Sequence, residues 1–197
     1  MFSWGGVCEF VGRGAGVVRM IGRALRGAVV LLAGFVLVSG CGSDRPAELS
    51  VDEVKPCELI PQSDHQRLRI AVETQKLDSV EGIDTEGSTC AYRTNTGNSV
   101  YVSTITNHGI DRWVDPPFES SHSEEVSRIQ GYRTVKVWHD SERPDPDSKC
   151  KVYVDVAGGQ LLRVQVGMTS DEEDPPTCDT ARRFAETAMG TLIADRG

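Results

Sequence analysis

Apolar and polar residues alternate with a period of two over several stretches of this chain, and the clearest lies near its end. Cys150, Val152, Val154 and Val156 alternate with Lys151, Tyr153 and Asp155; Gly158-Gly159 supplies a two-residue turn; Leu162, Val164 and Val166 alternate with Arg163 and Gln165. The pattern predicts a hairpin with one apolar and one polar face, in a sheet covered on one side and largely wet on the other. A second hairpin is predicted earlier. Cys90, Tyr92 and Thr94 alternate with Ala91 and Arg93, Asn95-Thr96-Gly97-Asn98 provides turn chemistry, and Val100, Val102 and Thr104 alternate with Tyr101 and Ser103. Tyr132 to Trp138, rich in β-branched and aromatic residues, adds a further strand.

Helical spacing governs the C-terminus. Cys178, Ala181, Ala185, Ala188 and Leu192 recur at steps of three and four, which predicts a helix from about Thr177 to Ala194 with a stripe of small residues able to lie close on a sheet. Thr177 is its expected cap, and Asp179 complements its positive end. A shorter helix is expected after Pro61, with Leu68 and Ala71 facing inward. Glu73 to Ser88 reads as an irregular connection. Ile110 to Val126 is ambiguous: Pro116-Pro117 breaks it, and Ser123 to Val126 is compatible with one helical turn. The proline- and acid-rich segments His139 to Lys149 and Thr169 to Pro176 read as loops. The expected fold is therefore α+β: an antiparallel sheet of about five strands with a C-terminal helix packed on one face.

The N-terminal pattern is of another kind. Gly27 to Val38 contains no charge, and Arg19, Arg23 and Arg26 stand just before it. A core helix would show a polar face, and a membrane anchor would need about 20 apolar residues; this segment has neither. A basic region followed by a short apolar run is the layout of a secretory signal. Val38-Ser39-Gly40-Cys41 then resembles the lipobox of bacterial lipoproteins, with Val in place of the usual Leu. The resemblance implies that Cys41 receives a diacylglyceryl group and becomes the mature N-terminus. Residues 1–40 are thus expected to be a signal peptide, with translation starting near Met20 and residues 1–19 an over-extended reading frame. Gly42 to Pro56 is polar and charged, and 41–56 is expected to be a lipidated tether, with 57–197 as a single domain.

Charge narrows the partners. The whole chain has a net charge of −8, but the first 40 residues hold Arg13, Arg19, Arg23 and Arg26 against Glu9, so the remainder stands near −11. Such a surface repels phosphate backbones, which argues against nucleic acid. It also repels anionic headgroups, so membrane retention is expected to rest on the acyl chains at Cys41.

Export changes the meaning of the cysteines. With Cys8 in the discarded region and Cys41 lipidated, Cys57, Cys90, Cys150 and Cys178 remain, and in an oxidising compartment they are expected to form two disulfides. Of the three pairings the pattern favours one. Cys150 opens the apolar face of its strand and Cys178 begins the apolar stripe of the last helix, so these two pair and Cys57 pairs with Cys90. No two cysteines have the close spacing of a zinc framework, and no Cys-x-x-Cys occurs.

With these elements in place the mature region resembles a family of actinobacterial secreted lipoproteins known as domain of unknown function 3558. The resemblance is carried by the lipobox, Pro56 to Pro61 (PCELIP), Cys90-Ala91-Tyr92 where the family often has Cys-x-Trp, Cys150 to Val156, Leu162 to Val166, and Cys178 to Ala185. It implies an extracytoplasmic, acyl-anchored α+β domain and no particular activity.

No catalytic constellation is legible. His65, His108, His122 and His139 are scattered without ligand spacing, and no nucleophile elbow is present. Asp145-Pro146-Asp147 and Asp171 to Asp174 lack the glycine and terminal Glu of a calcium loop, so no metal and no cofactor is expected. Tyr101 and Tyr153 fall opposite the apolar stripes, which makes them candidates for an aromatic surface that binds an envelope glycan, a lipid or a partner protein. The expected function is a non-catalytic, lipid-anchored binding module on the extracytoplasmic face of the cell membrane. A hydrolase acting on cell-wall material is the alternative.

Overall fold

The computed structural model describes residues 46–82, 84–114, 121–139, 149–167 and 176–197. The expected signal peptide, Cys41 and most of the two acidic loops, including Asp145, Asp147 and Asp171 to Asp174, lie outside the described residues.

The described chain forms one seven-stranded sheet: β1 (Ile70–Leu77), β2 (Gly87–Thr94), β3 (Ser99–Ile105), β4 (Ser121–Ile129), β5 (Tyr132–His139), β6 (Lys149–Ala157) and β7 (Gln160–Gly167). Their order is β1-β2-β3-β7-β6-β5-β4, and every neighbouring pair is antiparallel. The five expected strands are present, and the two unexpected ones, β1 and β4, are the edges. An edge strand is solvated along one side and has little apolar alternation to betray it. Among the described side chains of β4 only Ile129 is buried, while Glu124, Glu125, Ser127 and Arg128 are exposed. Ser123 to Val126, expected as a helical turn, is part of β4, and much of the expected irregular connection after Glu73 is β1. Both edge pairings contain register shifts, which bend and blunt an edge.

Two tight features fix the connections. Gln130 and Gly131 have φ of 52° and 87°, the left-handed pair a two-residue turn between β4 and β5 demands. Gly87 opens β2 at φ 146°, and a Cβ there would stand 1.9 Å from the Thr104 carbonyl oxygen, so no other residue fits this strand pairing.

The expected helix after Pro61 is replaced by a 3-10 turn at Gln62–Asp64, and another 3-10 turn, Pro56–Leu59, precedes it. Leu68 is buried as expected, but Ala71 is exposed on β1. A short helix, α1 (Asp111–Val114), precedes β4, and the C-terminal helix α2 spans Thr177–Arg196. Pro176 rather than Thr177 occupies its cap position, and Thr177 is buried.

The main core lies between α2 and one face of the sheet. Ala181, Ala185, Ala188 and Leu192 are buried as the spacing predicts, and Phe184 fills the space beside them. They meet Val152, Val154, Val156, Leu162, Val164 and Val166 from β6 and β7. Cys150 is bonded to Cys178 and Cys57 to Cys90, the pairing the pattern favoured. The two bridges span 28 and 33 residues, each worth about 3–4 kcal/mol in the chain-entropy model. One staples α2 to the sheet; the other ties the first 3-10 turn to β2.

The expected tether needs correction. Leu49 and Val51 are each 1% exposed and belong to the main core. The Leu49 N–H donates to the Val156 carbonyl at 2.9 Å, the Val51 N–H to Gln160 Oε1 at 2.8 Å, and the Tyr132 hydroxyl to the Ala47 carbonyl at 2.6 Å. The folded domain therefore begins by Ala47. Two apolar residues amid Glu48, Ser50 and Asp52 are too short a signal to read as an element, yet docking onto the β6–β7 hairpin buries them. No helix among the described residues is long and apolar enough to cross a membrane.

Candidate functional site: a cleft on the second sheet face

Cross-strand register decides what shares the face opposite α2. Thr89 of β2 stands opposite Ser103 of β3, Ser103 opposite Arg163 of β7, Arg163 opposite Tyr153 of β6, and Tyr153 opposite Val135 of β5. The next row brings Ala91, Tyr101, Gln165 and Lys151 together. On an antiparallel face such neighbours touch.

This face is not uniformly wet. Ile110, Trp113, Val135, Val137, Tyr153, Leu161, Ile105 and Val80 form a second apolar cluster. Tyr153 is 1% exposed, with the Trp113 ring tilted against it at 5.0 Å between centroids. Tyr101 and Tyr153 thus do not form one open aromatic surface. The α1 segment covers Tyr153 and leaves Tyr101 half-buried beside it. Alternation alone placed both outside because it reports which face a residue occupies and not what later packs on that face.

Beside this cluster lies a cleft of about 270 Å³. Tyr101, Thr89, Arg163 and Gln165 line its sheet side, and the segment after β1 supplies Ser79, Val80 and Glu81. Arg163 is the unusual member, an arginine only 4% exposed. Its Nη1 donates to the Glu81 carbonyl at 2.6 Å and its Nη2 to Ser103 Oγ at 3.5 Å, a long contact. Its Nε, also buried, has no acceptor among the described residues. No ion pair joins it to a carboxylate among them either, although Asp155 is buried two residues along the same face of β6, opposite Leu161. A buried polar atom left unpaired costs about 1–3 kcal/mol, so it calls for an explanation.

The surrounding hydroxyls have a definite polarity. Thr89 Oγ1 donates to the Ser79 carbonyl at 2.8 Å, which uses its one proton. Ser103 Oγ, 2.9 Å away, therefore donates to Thr89 and is left as the acceptor for Arg163. The chain runs from guanidinium to Ser103 to Thr89 to the segment that closes the cleft. At the rim the Gln165 amide approaches the exposed Glu81 carboxylate at 3.4 Å.

The other candidates do not converge on one place. His65 stands edge-on to Tyr92, His108 lies between the Asp84 carbonyl and Arg112, and His122 stacks on Trp138. No group of three potential metal ligands occurs among the described residues. A larger concavity of about 470 Å³ beside β1 is lined by Cys57, Ile60, Gln62, His65, Ile70 and Val72, with no acid, lysine or arginine among the described residues. Arg163 was not singled out in the sequence, where it reads as one more polar-face residue of a hairpin. The one hint was Ile110 with Trp113, apolar residues near a turn that need a second apolar surface to cover.

A family model described as "Protein of unknown function (DUF3558)" matches residues 36–191. No curated protein and no solved structure matches the chain.

Proposed function

The chain belongs to the DUF3558 family, and from this premise we propose that it is an acyl-anchored lipoprotein of the cell envelope whose domain is a non-catalytic binding module. The observation that carries the binding reading is the cleft over β2, β3 and β7, with a buried guanidinium in its wall and Tyr101 at its side. A concave site with a few convergent polar groups on an apolar frame is where a small ligand binds. Support for the location comes from the lipobox-like Val38 to Cys41, which lies inside the matched residues, and from two disulfides of a kind that persist in oxidising compartments.

The test uses the mature protein in detergent micelles, exposed to a cell-envelope extract, washed, and analysed by mass spectrometry for retained small molecules. Tyr101→Ala is expected to lose the retained species at an unchanged melting temperature. Tyr153→Ala, by contrast, is expected to lower the melting temperature, because that ring is packed under Trp113. Equal retention by the wild type and Tyr101→Ala would contradict binding in this cleft.

A further inference from the structure

The cleft pairs one positive group with one negative group of different exposure. Arg163 is buried in its wall and Glu81 is exposed at its rim. We propose that it receives a small zwitterion, an amino acid or short peptide with free ends, its carboxylate held by Arg163 and its ammonium by Glu81. This rests on the binding reading above and names the ligand class for the same site.

Three observations lead there. The first is the orphan Nε. A guanidinium presents its donors as a planar fork that matches a carboxylate, and here Nη2 has only a long contact to Ser103 while Nε has no acceptor. A carboxylate supplies what that edge lacks, and Gln165 and Tyr101 line the same cleft with further polar atoms. The second is size: about 270 Å³ falls at the small end of ligand pockets, which suits a molecule of one or two amino acids and is too small to enclose an extended glycan or acyl chain. The third is charge. The chain after residue 40 stands near −11, and Glu81 adds a carboxylate at the mouth. A simple anion or a polyanion meets repulsion on entry, whereas a ligand that also carries an ammonium is drawn to the same carboxylate.

The segment bearing Glu81 is held against the cleft by two contacts. Its main-chain carbonyl occupies Nη1 and its carboxylate rests near Gln165. Gly82 follows it at φ 146°, a backbone conformation that favours glycine. In the proposed complex Glu81 turns from Gln165 to the ligand's ammonium, and the Gln165 amide is released toward the ligand's carboxylate.

The experiment titrates the mature protein in detergent micelles with alanyl-alanine, its N-acetyl form and its C-terminal amide, reading the Arg163 Nε–H and Gln165 side-chain amide resonances by NMR. The free dipeptide is expected to shift both, and each blocked form to bind at least about tenfold more weakly, the loss of one charge-assisted contact. Because replacing Arg163 endangers the fold, the discriminating variant is the exposed Glu81→Gln. It is expected to bind the free and N-acetylated dipeptides alike. Equal binding of all three forms by the wild type, or binding that leaves the Arg163 Nε–H unmoved, would overturn the proposal. If no form binds while the Tyr101-dependent envelope ligand is still retained, the zwitterion assignment fails and the binding reading stands; if neither occurs, both fail.

Discussion

Tyr92 shows how a single buried hydroxyl shapes stability. Its ring is packed against Phe184 at 5.7 Å and the residue is 3% exposed, yet its hydroxyl has no partner among the described residues. Burial pushes the phenol well above its ordinary value near 10. The folded state therefore keeps the proton after the unfolded chain has lost it. Below about pH 10 both states are neutral and nothing changes; above it the unfolded state gains charge freely and stability falls as pH rises. Tyr92→Phe is expected to leave stability at neutral pH unchanged or to raise it by about 1 kcal/mol, since it removes an unpaired polar group without changing shape. Denaturant titrations at pH 7 and pH 11 check this, with the variant losing less between the two. Tyr132, also raised by burial, retains part of the alkaline sensitivity. At this scale the sequence was legible wherever a residue's face decided its surroundings. Val152, Leu162, Cys90 and Cys150 all landed where alternation put them, and Cys178 where the helical spacing did. Tyr153 and Arg163 did not, because distant residues, Trp113 and Glu81, close over them.

At the scale of elements, strong periodicity was decisive and weak periodicity misled. The β2–β3 and β6–β7 hairpins and α2 each follow a clean period of two or of three to four. The edge strands β1 and β4 do not, since one side of each answers to solvent and their polar residues are what keeps such edges from pairing with another chain. The segment before Cys57 is the sharpest case. Leu49 and Val51 look like stray apolar residues in a tether, and only the Val156 carbonyl and the Gln160 side chain of the β6–β7 hairpin give them a place. The consequence is measurable. Leu49→Ala is expected to cost about 2–5 kcal/mol in a denaturant titration, the range for truncating a buried leucine. A tether would make the same change silent. The acidic and basic groups that tie elements together, such as Arg133 with Glu125 and Asp111, or Arg67 with Asp64, are exposed enough that each contributes little on its own.

For the whole molecule, the cysteines link architecture to location. Two disulfides join the first turns to β2 and the last helix to the sheet, so both ends of the domain are fastened to its centre. With the fold starting by Ala47, only a handful of residues separate it from Cys41. An acyl chain there would hold the domain close to the bilayer rather than on a long leash. A net charge near −11 disfavours adhesion to anionic headgroups, so in the proposed anchoring the lipid would be the means of retention. The envelope-anchored reading depends on this placement, so the modification of Cys41 is its most direct measurement. The protein should be expressed in a host with lipoprotein processing, extracted from its membranes, and its intact mass and N-terminal peptide determined. The account predicts a chain beginning at Cys41 and carrying a diacylglyceryl group, with Cys41→Ala moving the protein out of the membrane fraction. A mature chain that retains residues before Cys41, or an unmodified Cys41 with unchanged membrane association in Cys41→Ala, would contradict it.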